Sequence, residues 1–217
     1  MRPLLAIGLL ALAASASAGT VAGSVSVTDK GGRPASDLQE TVVYLEGART
    51  KPKPVTASVA MRGKAFLPHV VVVPVGSSVA FPNQDPILHN AFSVSGENRF
   101  DLDLYKRPQS KSQTFQKPGV VRVYCNIHPQ MSAIVLVADT PHYAKAAADG
   151  SFSIEGVPAG TYVLKAWHER GGEASQEVVV AEGGAVRAQL ALDASAFKRA
   201  PHKNKYGKDY SAGGDKY

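Results

Sequence analysis

Along its 217 residues the chain holds no apolar stripe at helical spacing long enough to make a helix, while short apolar runs recur between clusters of Gly, Pro, Asn and Asp. Alternation at period two puts the apolar side chains on one face of a strand, and that face has to be covered by another layer. The pattern therefore predicts an all-β fold, a sandwich or a barrel. "KPGVVRVYC" turns at Pro118-Gly119 and then sets Val121, Val123 and Cys125 on one side with Arg122 on the other. "MSAIVLVAD" is apolar on both faces, as expected in the middle of packed layers. "HVVVVPVGSSVAFPNQD" starts as an apolar strand at His69, and Pro74 within it, lacking an N–H, belongs at an edge or a bulge.

Cys125, the chain's one cysteine, stands in "YCNIHPQM" with His128 three positions later and Met131 three beyond that. The compartment decides what such a thiol can be. "MRPLLAIGLLALAASASAG" has a cationic start at Arg2, an apolar run and small residues at Ala16-Ser17-Ala18, the pattern of a secretory signal peptide over residues 1–18. The run is short of the roughly 20 apolar residues that span a bilayer, so no integral membrane segment is expected after cleavage. The protein is expected to be periplasmic or otherwise exported, and soluble. In an oxidising compartment a thiol with no partner in its own chain is buried, paired with another molecule, or tied to a metal.

With six histidines and three methionines in the chain, meeting one of each at those offsets from the cysteine is a rare coincidence. A thiolate, two imidazoles and a long, weak thioether form the donor set of blue copper. His89, in "FPNQDPILHNAFSV" 36 residues before Cys125, is the candidate for the second imidazole, and only a folded sandwich could bring it in. Other readings of the motif stay open. The protein could handle copper without cycling its charge, or use Cys125 with His128 as base in a thiol hydrolase or transferase, which would leave Met131 without a purpose. Zinc is the third, although a thioether is a poor zinc ligand. His69, His142 and His168 are taken as structural.

Residues 51–142, through "CNIHPQM" and "FLPHVVVVPVGSSVAFPNQDPILHNAFS", resemble a cupredoxin of the plastocyanin and amicyanin kind, and exported proteins of the methylamine-utilisation type. The resemblance implies a Greek-key β-sandwich binding one type 1 copper ion, with His89, Cys125 and His128 as equatorial ligands and Met131 as the axial one. It also implies that Asn90 hydrogen-bonds the sulfur, and that the protein is a one-electron carrier rather than an enzyme. On either side, "GSVSVTDKGGRPASD" and "DGSFSIEGVPAGTYVL" resemble the halves of a carboxypeptidase-regulatory-like β-sandwich. That implies a second, smaller domain made of residues 19–50 with 143–193, into which the copper domain is inserted. The alternative is one domain over 20–142 with 143–193 appended.

The formal charge is +6, and the segment from Lys198 onward holds six Lys/Arg against two Asp. Residues 194–217, without apolar periodicity, are expected to form a basic flexible tail that meets an acidic partner or an anionic membrane surface. Nucleic acid is not an expected partner of an exported protein. Redox partner proteins are expected to dock near His128, with Ile127 and Pro129 as a small patch.

Overall fold

The computed structural model describes residues 17–210, so the expected signal peptide, apart from Ser17 and Ala18, lies outside the described residues, as does the end of the tail. The described chain is nearly all β, with three single-turn 3-10 segments and no α-helix.

One pair of sheets joins the two ends of the chain. Gly19–Thr28 lies between Ser151–Val157, which runs antiparallel to it, and Ala185–Asp193, which runs parallel. Facing them is a sheet in the order Tyr143–Lys145, Val42–Glu46, Gly160–His168 and Gly172–Val180. Their alternating inward residues, among them Val25, Leu45, Ile154, Leu164 and Leu190, share one apolar core. Gly23 is required where the central strand meets its parallel neighbour, because a Cβ there would sit 1.8 Å from the Ala188 carbonyl oxygen.

Between Glu46 and Tyr143 the chain builds a second sandwich. Its larger sheet runs Val70–Pro74, Ser132–Ala138, Gly119–Tyr124, Phe92–Ser93 and Phe100–Asp101, and its smaller one Ser110–Thr114, Ser78–Pro82 and Thr56–Ser58. Pro74 falls on the edge strand, where its missing N–H costs no ladder bond on the outer side. Phe81, Phe115, Val121, Val123 and Val135 fill this core, and Cys125 and Met131 lie at its end.

Strand Ser132–Ala138 explains how the sandwiches meet. Ala133, Val135 and Val137 point into the second core, while Ile134, Leu136 and Ala138 point out of it against Val42 and Trp167 of the first sandwich. Both faces of the strand are thus dry, and each buried Ile or Leu contributes roughly 1.5–3 kcal/mol. A polar clamp borders the seam. His69 donates from Nδ1 to the Ser132 carbonyl (3.0 Å) and pairs through Nε2 with Glu169 (2.7 Å), which also takes Arg122 at 3.1 Å.

Replacing Ile134 with Ala is expected to cost about 2–5 kcal/mol, read as a lowered denaturation midpoint. The clamp carries a pH signature. The Glu169 hydrogen bond raises the His69 pKa above its ordinary 6.5 against the opposing effect of burial, and the same bond to His69 holds Glu169 below its ordinary 4.5. The histidine's contribution is complete below 6.5 and lost as pH rises through the raised value; the carboxylate's is complete above 4.5 and lost as pH falls through the lowered one. The difference in melting temperature between wild type and His69→Gln should therefore be largest between pH 4.5 and 6.5 and shrink above neutrality.

Candidate metal centre

The upstream half of the site is a loop organised by its own polar side chains. Asn83 ends Ser78–Pro82, donates to the carbonyls of Ile87 and Tyr105 (2.9 Å each), and accepts from the Asp85 N–H at 2.9 Å. Asp85 in turn accepts from the N–H groups of Gly63 (2.7 Å) and Lys64 (2.9 Å) and from His89 Nε2 at 2.8 Å. Burial raises the Asp85 pKa, but these donors outweigh it and leave the group below the ordinary carboxylate value. An ionised Asp85 accepts a hydrogen bond from the Nε2–H of His89 and so fixes the tautomer whose Nδ1 carries a lone pair. His89 is fully buried, and paired backbone bonds to Tyr105 (3.1 and 2.9 Å) hold its main chain.

The other half is the connection between Gly119–Tyr124 and Ser132–Ala138, two neighbouring strands of one sheet. Alternation along the first carries Cys125 inward after Val121 and Val123, and all three are fully buried. The loop is closed by the Met131 N–H on the His128 carbonyl (3.0 Å) and the Cys125 N–H on the Met131 carbonyl (3.3 Å). His128 and Met131 are buried with Cys125.

The fold brings three donor atoms together. His89 Nδ1 lies 3.0 Å from His128 Nδ1, and Cys125 Sγ lies 3.6 Å from His128 Nδ1 and 4.0 Å from His89 Nδ1. This His/Cys/His cluster can hold a metal ion. A cation bound in the plane of three donors, at about 2.0 Å from nitrogen and about 2.3 Å from sulfur, needs donor separations of roughly 3.5–3.7 Å, so shifts of about half an ångström suffice. The sulfur's chemistry agrees. Burial pushes the Cys125 thiol pKa up, more than the N–H groups of Asn90, Ile127 and His128 pull it down. The sulfur is thus a protonated thiol until a cation favours the thiolate.

Asn90 joins the two halves. Its main-chain N–H is among the donors on the sulfur, while its side chain accepts from the Asn126 N–H at 2.6 Å and donates to Asp101 at 3.2 Å. The sequence reading did not single out Asp85, Asn83 or Asn126. Asp85 had a faint signal, a carboxylate four positions before the histidine it orients. Nor did that reading give the tail a place. Residues 199–210 form no strand or helix, yet they lie against the loop from Cys125 to Met131: Tyr210 Oη donates to the Cys125 carbonyl (2.8 Å), Lys205 N–H to Asn126 Oδ1 (2.9 Å), and His202 Nε2 bonds the Pro129 carbonyl (2.8 Å).

The family described as "Polysaccharide lyase family 4, domain II" matches residues 138–188, which overlap most of the 143–193 segment whose resemblance implied a carboxypeptidase-regulatory-like sandwich instead. No curated protein matches the chain. Among solved structures, a copper-containing nitrite reductase from Thermus scotoductus SA-01 is similar at 30% identity and a TM-score of 0.38, over 43% of this chain and 24% of its own length. A purple cupredoxin from Nitrosopumilus maritimus is similar at 22% identity and a TM-score of 0.35, over 38% of this chain and 99% of its own. An amicyanin from Paracoccus versutus shares 18% identity at a TM-score of 0.35, over 44% of this chain and 97% of its own.

Asp85→Asn removes the charge that orients His89 while keeping its volume. Metal affinity measured by competition with a chelator is expected to fall about 10–100-fold, and the denaturation midpoint of the metal-free protein to fall as well, because an amide NH2 in place of one carboxylate oxygen would face a donor that Asp85 now accepts from.

Proposed function

We propose that this chain is an exported type 1 copper protein that carries one electron at a time. His89, Cys125 and His128 would be the equatorial ligands of one copper ion, and Met131 the axial one. The observation that carries the reading is the buried triangle of two Nδ1 atoms and one Sγ at 3.0, 3.6 and 4.0 Å. Soft sulfur with two imidazoles suits copper, and Met131, buried in the same apolar cluster as Cys125, offers the weak thioether that zinc does not favour. Bound there, copper would supply the Cu(II)/Cu(I) couple.

The chain's own part is to keep that couple from rearranging its surroundings. Asp85 holds His89, the closed loop holds Cys125 and Met131, and the Asn90 side chain ties one half to the other. A site this constrained changes little between two charge states, so little reorganisation opposes electron exchange. The same features argue against a thiol enzyme, since a nucleophilic cysteine needs access and a lowered pKa, and Cys125 is fully buried with a raised one. No helix of the described residues is long and apolar enough to cross a membrane. A redox partner would approach the side of His128, where Ile127 is half-buried and Pro129 exposed.

Adding Cu(II) to the purified chain is expected to give an intense visible thiolate-to-copper band, absent in Cys125→Ser and retained with a shifted potential in Met131→Gln. A protein that takes zinc in preference and stays colourless with copper would sink the reading. Tight binding of copper without reversible reduction would favour a copper-handling protein instead.

A further inference from the structure

Three residues of the tail, His202, Lys205 and Tyr210, reach the loop that carries Cys125, His128 and Met131. They bond the carbonyl of Cys125, the side chain of Asn126 and the carbonyl of Pro129, positions lying between or beside the proposed ligands. The His202 ring stacks on Tyr124 at 3.9 Å, and Tyr210 closes against His202 edge-on with its hydroxyl 3.1 Å from Nδ1. Lys205 Nζ is seated on Asp101, with Asp103 at 3.5 Å, and the Asp101 bond raises its pKa. Farther back, Arg199 reaches Glu169 at 4.0 Å, at the seam between the sandwiches.

What these contacts lack is as informative. Among the described residues, none beyond Ala194 belongs to any of the three apolar cores. The bonds that tie the segment to the loop are polar, with ring contacts beside them, and its charged anchor is partly exposed, with Asp103 open to water. Such contacts weaken with salt and can part without unfolding either sandwich. Beneath them, Cys125 and His128 are at 0% and 1% exposure.

We propose that residues 199–210 are a detachable clasp over the metal loop, which sets how quickly the buried site can be reached and emptied. This deepens the copper reading, because the ion would enter and leave through the face the clasp covers, and Tyr210, His202 and Lys205 would be positioning residues of the ligand loop.

Cys125 is the chain's one thiol, so an aromatic disulfide reagent reports its accessibility in the metal-free, full-length protein without interference. His202→Ala combined with Tyr210→Phe, which removes both bonds to the loop carbonyls, the bond between the two residues and the stack on Tyr124, should speed labelling by at least about tenfold. Added salt should speed labelling of the wild type but not of Lys205→Ala. Copper release from the loaded variant to a chelator should accelerate by a similar factor. Ile134→Ala is the control for general destabilisation. Labelling at the wild-type rate would overturn the proposal, and so would acceleration that merely tracks a lowered denaturation midpoint, as in Ile134→Ala. A chain that binds no copper but shows the labelling difference would remove the copper reading and leave the clasp standing.

Discussion

Strand Ser132–Ala138 is apolar on both faces, and a chain that makes such a strand must build a layer on each side of it. One side is the core holding Phe81 and Val135; the other is the seam where Ile134 and Leu136 meet Val42 and Trp167. Because Cys125 to Met131 connects this strand to its neighbour Gly119–Tyr124, the loop is anchored at both ends in paired strands of one sheet. Rigid strands on either side leave the loop few conformations, which is what a preorganised donor set requires.

From that anchor the site is oriented by a relay of hydrogen bonds. Backbone N–H groups of Gly63 and Lys64 hold Asp85, Asp85 holds His89, and His89 presents Nδ1 to the sulfur and to His128. The charges balance in the same direction. Asp85 stays ionised behind one imidazole, while the thiol stays neutral until a cation arrives, so positive charge entering the cluster meets one buried carboxylate at once and a thiolate as it forms.

The first sandwich and the tail act on the centre from outside. Glu169 gathers His69, Arg122 and Arg199, so a single carboxylate ties the outer face of the sheet that carries Cys125, the first sandwich and the start of the proposed clasp together. Ordinary apolar packing fixes the sandwiches, and polar contacts fix the tail, which is why the two differ in how easily they would come apart.

Period-two alternation made the all-β class legible, and the position of Pro74 and the inward direction of Cys125 followed from strand geometry alone. The offsets from Cys125 to His128 and Met131 were legible for the same reason, since a short loop keeps its donors near one another whatever the fold. His89 was named from its residue type and setting, but its approach to within 4.0 Å of the sulfur is a property of two sheets closing on one another. Asp85, Asn126 and the clasp residues could not be read in advance. Aspartate, asparagine, lysine and tyrosine in loops are common, and nothing in their spacing tells which carbonyl or ring they will meet. Local sequence determines strand direction and short-range donor spacing because those depend on backbone geometry over a few residues. Which distant groups share a buried volume is decided only when the apolar faces find their covers, since burial is a property of the assembled layers.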